Sequence, residues 1–317
     1  MPFLSRLTFV VAMLAAPLTD ASCGSAGCTL MTDRFAQTAG TSHTGWSADV
    51  RIETVTQDRL RSGTSTLEPD EVDEHELEGH TKNLNTVATL EYAFGPSWSA
   101  VVRIPIVHRE HEHTLFDEDT HERLGAERWR FMEPADVQAL VRRQWTTSSG
   151  RFVYAAFGGL ELPAGATDID NADGDEAERA LQPGSGTTDL VAGIAGRWLF
   201  GASDALIGQV SVVRAFGGDA DFEPGQRSDA TLGWSHAFSR RIGSVLQINY
   251  RHRARDDGDE AEPSDSGAEL VDVSPGITFG FAAVTVYAYW QIPLYQRVDG
   301  VQLVPERALA LGFTWDF

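Results

Sequence analysis

The chain has 317 residues, of which 42% are hydrophobic and 22% charged, and its formal net charge is −21. No run of about 18 apolar residues follows the N-terminal segment, which excludes helical membrane spans, and no nucleic-acid partner is expected. The mildly polar average suits a soluble domain or a transmembrane barrel with polar inward residues, and only periodicity separates the two.

The first residues read as a secretory signal peptide: Arg6 supplies the positive region, Leu7 to Leu18 the apolar region, and Thr19 and Ala21 the small cleavage positions. The expected division is a signal peptide over 1–21, a periplasmic lead over 22–43 and an outer-membrane barrel over 44–317. Lipidation at Cys23 competes with simple cleavage, although Asp20 stands where an aliphatic residue is expected. Cys23 and Cys28, the only cysteines, suit a small disulfide loop in an oxidising compartment, and a metal or redox role stays open.

Alternating segments then recur. The first runs Trp46-Ser-Ala48-Asp-Val50-Arg-Ile52, with Asp49, Arg51 and Glu53 on the opposite parity. Others follow at 84–94, 98–106, 135–145, 151–162, 188–198, 205–213, 229–238, 243–252, 269–279, 283–294 and 307–317. This predicts an all-β chain: a transmembrane, antiparallel, up-and-down barrel of about 12 strands, each long enough to cross a membrane at a tilt. Short connections, with Gly95, Gly150, Gly201, Gly243 and Gly280 at or beside them, alternate with long links at 58–82, 108–134, 163–187, 214–228, 253–268 and 295–306. That alternation is the plan of an outer-membrane barrel with periplasmic turns and extracellular loops. The last strand, Leu309-Ala-Leu311-Gly-Phe313-Thr-Trp315-Asp-Phe317, resembles the sorting signal of Gram-negative outer-membrane barrels, with Trp315 and Phe317 as its aromatic positions. Outer-membrane lipid, lipopolysaccharide and the barrel-assembly machinery are the partners that follow.

One parity carries Trp46, Trp98, Trp145, Trp198, Trp234, Phe238, Tyr250, Trp290, Trp315 and Phe317, several at strand ends where an interfacial aromatic girdle belongs. The other parity predicts a lumen holding Arg51, Glu53, Glu91, Arg103, Asp136, Arg142, Glu161, Arg197 and Arg251, because such groups in lipid cost several kcal/mol each. Asp49, Asn85, Gln138, Gln144, Gln209, Gln247, Asn249, Tyr287, Tyr289 and Gln291 complete that face. A wetted channel selecting small solutes by charge competes with a mutually paired, partly closed interior.

The long links are acidic and hold His75, His80, His111, His113 and His121 among carboxylates, a mixture that suits zinc, copper or nickel. The competing reading is a solvated acidic surface that takes only adventitious divalent cations, and no cofactor is expected. Asp168 to Glu176 is similar to a calcium loop but misses its spacing by one residue, and 254–269 reads as simply acidic. Hydrolase motifs are missing, and Ser235 and His236, adjacent in a strand, point to opposite faces, so no enzyme is expected.

Gly159-Leu-Glu161-Leu-Pro163-Ala-Gly165, Leu181-Gln182-Pro183-Gly184-Ser185-Gly186-Thr-Thr-Asp189 and the C-terminal strand together resemble the outer-membrane transporter-like barrels associated with the meta-pathway of phenol degradation. Ala164 replaces the usual threonine. The lead with Leu30-Met-Thr32-Asp33 is similar to a subgroup of such barrels. The resemblance implies passage of small molecules across the outer membrane, without naming a solute and without a catalytic residue. The expected function is therefore an outer-membrane channel, with a closed structural or metal-capturing surface barrel as the alternative.

Overall fold

The computed structural model describes residues 44–72, 76–117, 122–218 and 221–317. The signal peptide, the Cys23–Cys28 pair, His75 and His121 lie outside them. No helix in the described residues is long and apolar enough to cross a membrane.

The strands are β1 (Gly45–Gly63), β2 (Ser65–Leu67), β3 (Glu76–Ala93), β4 (Trp98–Phe116), β5 (Arg123–Pro134), β6 (Val137–Thr146), β7 (Phe152–Leu162), β8 (Thr187–Leu199), β9 (Asp204–Gly218), β10 (Arg227–Ala237), β11 (Ile242–Arg253), β12 (Ala268–Phe281) and β13 (Val284–Asp316). All pairings are antiparallel, between successive strands of the chain apart from the steps β1–β3 and β4–β6, and β13 returns to pair with β1, closing the sheet. Eleven strands form the ring, with β2 and β5 outside that path. β13 is a hairpin. Its first half pairs with β12 and its second with β1, Gly300 turns at φ 63°, and the Asp316 N–H donates to Ala283 O at 3.1 Å. β5 and β6 run along β4 as one pass broken by a bulge, where Ile104 and Pro105 oppose the three residues 135–137. The chain thus makes about twelve crossings, as a tilted up-and-down barrel requires.

The connections expected to be short are short, and those expected to be long lie at the other end. Several of the long ones are nevertheless mostly strand. β1, β3 and β4 have 19, 18 and 19 residues, about 60 Å of extended chain each, well beyond an apolar core of about 30 Å. Their outer halves are polar on both faces, so the alternation fades although the ladder continues. The link expected over 295–306 is replaced by the tight Asp299-Gly300 turn.

The outer surface is apolar around the ring: Ile52, Leu90, Ile104, Val141, Leu190, Ile194, Val210, Leu232, Ile248, Ile277, Leu311 and Phe313 are all exposed. A soluble monomer rarely exposes so continuous an apolar surface, whereas a membrane-spanning barrel needs one. Aromatic rings gather near the short turns. Trp46 meets Tyr92 at 4.7 Å, Trp145 stacks on Tyr154 at 5.3 Å, and Trp315 meets Phe317 at 4.9 Å. The Arg143 guanidinium lies over Trp98 and Trp145 at 5.1 and 4.9 Å, holding its charge at the interfacial level.

Candidate solute cavity and its inward loop

Inward parity produces a crowded interior. From β6, β7, β9, β11 and β13 the lumen is filled by Leu140, Phe157, Ile207, Val245, Tyr287 and Tyr289, all buried in one apolar cluster. Glycine on a neighbouring strand admits each ring. A β-carbon on Gly193 would fall 2.3 Å from Phe157, one on Gly276 2.3 Å from Tyr289, and one on Gly312 2.4 Å from Tyr287. The Tyr287 hydroxyl donates to both Asp49 oxygens, at 2.9 and 3.0 Å, and the Thr314 hydroxyl adds a bond at 3.0 Å. Arg142, buried in the same interior, donates to Gln144 at 2.6 Å and to Glu91 at 3.4 Å, while Arg197 is partly buried on β8.

Beside this cluster lies a cavity of about 270 Å³. Arg51, Arg103, Arg109, Arg179, Arg227, Arg251 and Arg253 line it together with Glu53, Asp136, Glu161, Asp189 and Asp229, so arginines outnumber carboxylates seven to five. Six of the nine expected lumen residues (Arg51, Glu53, Arg103, Asp136, Glu161 and Arg251) come together here. Ion pairs hold the wall in register: Arg51–Glu53 at 2.5 Å, Arg251–Asp229 at 2.6 Å and Arg227–Asp229 at 3.4 Å. Gln138 donates to Glu161.

Residues 163–186, read from sequence only as a long outer link, fold into the barrel and cap the cavity. Leu181 is 0% exposed, and Arg179 and Gln182 are buried beside it. The bulge at 135–137 supplies the anchor: Asp136 accepts from Gly165 N–H at 3.0 Å and from both Ser185 N–H and Oγ at 2.7 Å. Two of the three segments that carried the family resemblance therefore meet on one carboxylate. Arg109 donates to Leu181 O and, at 2.8 Å, to Asn83. Trp129 donates to Asp175 O at 3.0 Å and packs with Ala177 and Leu181.

Arg179 joins this loop to its neighbours. It donates to Thr167 O at 3.1 Å and Ser185 O at 3.2 Å, pairs with Glu260 at 3.0 Å, and lies 5.2 Å from the centre of the buried Phe222 ring. The segment read as simply acidic is in fact structured. Asp256 pairs with Arg253 at 2.7 Å and accepts from Gly225 N–H at 2.6 Å, and Asp265 accepts from Val301 N–H at 2.8 Å. The calcium-like stretch turns on itself, with Asn171 Oδ1 accepting from Asp173 and Asp175 N–H, both at 2.9 Å.

Of the histidines singled out above, His111 and His113 converge on the inner face of β4, and His80 does not join them. Glu78, one of the carboxylates in the same links but not singled out among them, completes the group: the ligand atoms of Glu78, His111 and His113 lie within 4.8 Å of one another, and all three residues are buried. A register shift between Glu78 and His80 turns Glu78 inward, onto the face that Thr81 shares. Ser235 and His236 face apart, the former toward Ala205 O and the latter pairing with Asp204 at 2.8 Å beside Trp234 and Phe238.

Fold and interior together define a closed antiparallel barrel with a lipid-compatible exterior, a polar and partly filled lumen, and an inward cap. No family model matches the sequence, and no curated protein matches it either. Among solved structures the fold is similar to the COG4313 outer membrane channel from Pseudomonas putida F1, with a TM-score of 0.64 and 13% identity over 87% of this chain and 96% of that one. It is also similar to the CymD monoaromatic hydrocarbon channel, with a TM-score of 0.50 and 9% identity over 93% and 97% of the two chains. At these identities the likeness is one of fold, and it carries no link to phenol degradation.

Proposed function

We propose that this chain is an outer-membrane channel of a Gram-negative bacterium, exported by its N-terminal signal, that passes small polar or anionic solutes through the capped cavity. The arginine-rich lining is the observation that carries this reading: seven guanidinium groups outnumber the five lining carboxylates around one cavity, and the excess favours an anion. The volume, about 270 Å³, limits the occupant to a small molecule. The similarity to channel barrels supports passage of small solutes in general. Because the inward loop closes the cavity through hydrogen bonds and a few apolar contacts, its movement is the natural gate. Lipid and lipopolysaccharide surround the barrel, and the barrel-assembly machinery inserts it.

The test is single-channel conductance of the refolded chain in a planar bilayer under a salt gradient. Discrete steps with an anion-favouring reversal potential are expected. A silent membrane with confirmed insertion would instead favour a sealed structural barrel, the reading to which the apolar lumen cluster around Phe157, Tyr287 and Tyr289 points.

A further inference from the structure

We infer that Glu78, His111 and His113 form a binding site for a divalent transition ion of the zinc class, closed by Glu178 of the inward loop. The three side chains are 1%, 2% and 1% exposed, and their ligand atoms lie within 4.8 Å of one another. An ion with bonds of about 2.0–2.1 Å needs ligands nearer 3.4 Å apart, a change within reach of side-chain rotation. His111 has one nitrogen held by a neighbour and one left over. Its Nδ1 pairs with Thr81 Oγ1 at 2.7 Å, and its buried Nε2 has no hydrogen-bond partner. When Nδ1 carries the proton toward Thr81, Nε2 keeps a lone pair for an ion, the arrangement by which an outer partner fixes a ligating imidazole. Glu78 accepts from Leu303 N–H through Oε2 at 3.1 Å, which orients that carboxylate in turn.

The donor set selects the ion. Two imidazoles and a carboxylate suit zinc or copper, whereas calcium and magnesium prefer oxygen ligands. Glu178 stands at the start of the loop's buried Arg179–Leu181 turn, with Oε1 3.8 Å from His113 Nε2. It brings a fourth donor from the loop to three donors on the wall. A bound ion would then fasten the cap to β3 and β4 at a point separate from the Asp136 anchor. Metal binding here does not depend on whether the barrel conducts.

The experiment is calorimetry with zinc chloride on the full chain, refolded in detergent, stripped of metal and held in excess magnesium to occupy oxygen-only surface sites. Cobalt(II) absorption provides a second readout. One ion per chain is expected, with intense cobalt d–d bands and no thiolate charge-transfer band. His111→Ala and His113→Ala should each weaken binding by about tenfold or more, and Thr81→Val, which leaves every ligand in place, by about 10–100-fold. Glu178→Gln should weaken it about tenfold. Heat-dependent gel mobility confirms that each variant is folded. Absent binding, a thiolate band placing the ion at Cys23 and Cys28, or unchanged affinity in the histidine and Thr81 variants would overturn the site. Unchanged affinity in Glu178→Gln alone would overturn its closure by the loop.

Discussion

Gly165 and Gly184 are in backbone contact: a β-carbon built on Gly165 falls 2.6 Å from the Gly184 Cα, and one built on Gly184 falls 2.3 Å from the Gly165 oxygen. The start and end of the inward loop therefore cross where no side chain fits, directly over the Asp136 carboxylate that takes the Gly165 and Ser185 amides. Gly165→Ala and Gly184→Ala should each destabilise the closed loop by about 1–3 kcal/mol, the usual penalty for forcing atoms into a packed site. Limited proteolysis in bilayer-mimetic detergent should then cut within 163–186 in the variants and spare the parent. Equal protection would show that the crossing can relax.

Removing the anchor charge tests the gate more directly. Asp136→Asn keeps the shape but weakens three charge-assisted hydrogen bonds, each worth about 1.5–3 kcal/mol when the acceptor is ionised. The loop should leave its seat more often, and planar-bilayer recordings should show a higher open fraction. An unaltered open fraction would place the gate elsewhere.

In the proposed channel the cavity lining sets the sign of the field. Arg103→Glu moves the balance of seven arginines against five carboxylates toward the acidic side. The reversal potential under a salt gradient should shift toward cation preference, more strongly at low ionic strength because screening is weaker there. An unchanged reversal potential would mean that the mouth carboxylates govern selectivity.

Phe157 is the ring that seats over Gly193 inside the apolar lumen cluster. Phe157→Ala should lower stability by about 3–5 kcal/mol if the space stays empty and dry. Water entering from the adjoining cavity would reduce that loss and enlarge the conducting path. Denaturant midpoints and step conductance, read on the same preparation, separate the two effects.

A small gain is available at the short end of the barrel. Ala282 sits at φ 52°, the only non-glycine residue with positive φ among those described, a conformation that costs an L-residue about 1–2 kcal/mol. Ala282→Gly should therefore raise the denaturant midpoint modestly and leave conductance unchanged.

The strands, their faces and the order of turns and links were legible because lipid outside and polar groups inside impose strict alternation. Trp98, Val141 and Ile248 face outward, and Arg51, Gln138 and Asn249 inward, on parity alone. Glu78, His111 and His113 fell in the links read over 58–82 and 108–134, where no face was assigned; the strand continues there, and the extra residue at Gly79 turns Glu78 inward beside the two histidines. The bulge at 135–137 gives Asp136 a role as an anchor that no repeat reveals. The inward fold of 163–186 depends on partners as remote as Arg109 and Trp129, contacts that leave no local pattern. The Asp299-Gly300 turn did carry a local signal, an Asp-Gly pair between alternating runs, which the acidic and polar residues around it obscured.

The ring is sealed by Trp46 and Phe317, whose amides and carbonyls exchange hydrogen bonds at 3.2 and 2.9 Å. Every other seam joins neighbours in the chain, but this one unites segments about 270 positions apart, and its loop-closure entropy is correspondingly the largest in the molecule. The zipper of hairpins can therefore grow locally while two raw margins stay unsatisfied, and a sheet with bare margins is a template for indiscriminate pairing. Loss of the β13 terminus would convert a self-contained cylinder into a curled ribbon searching for another strand.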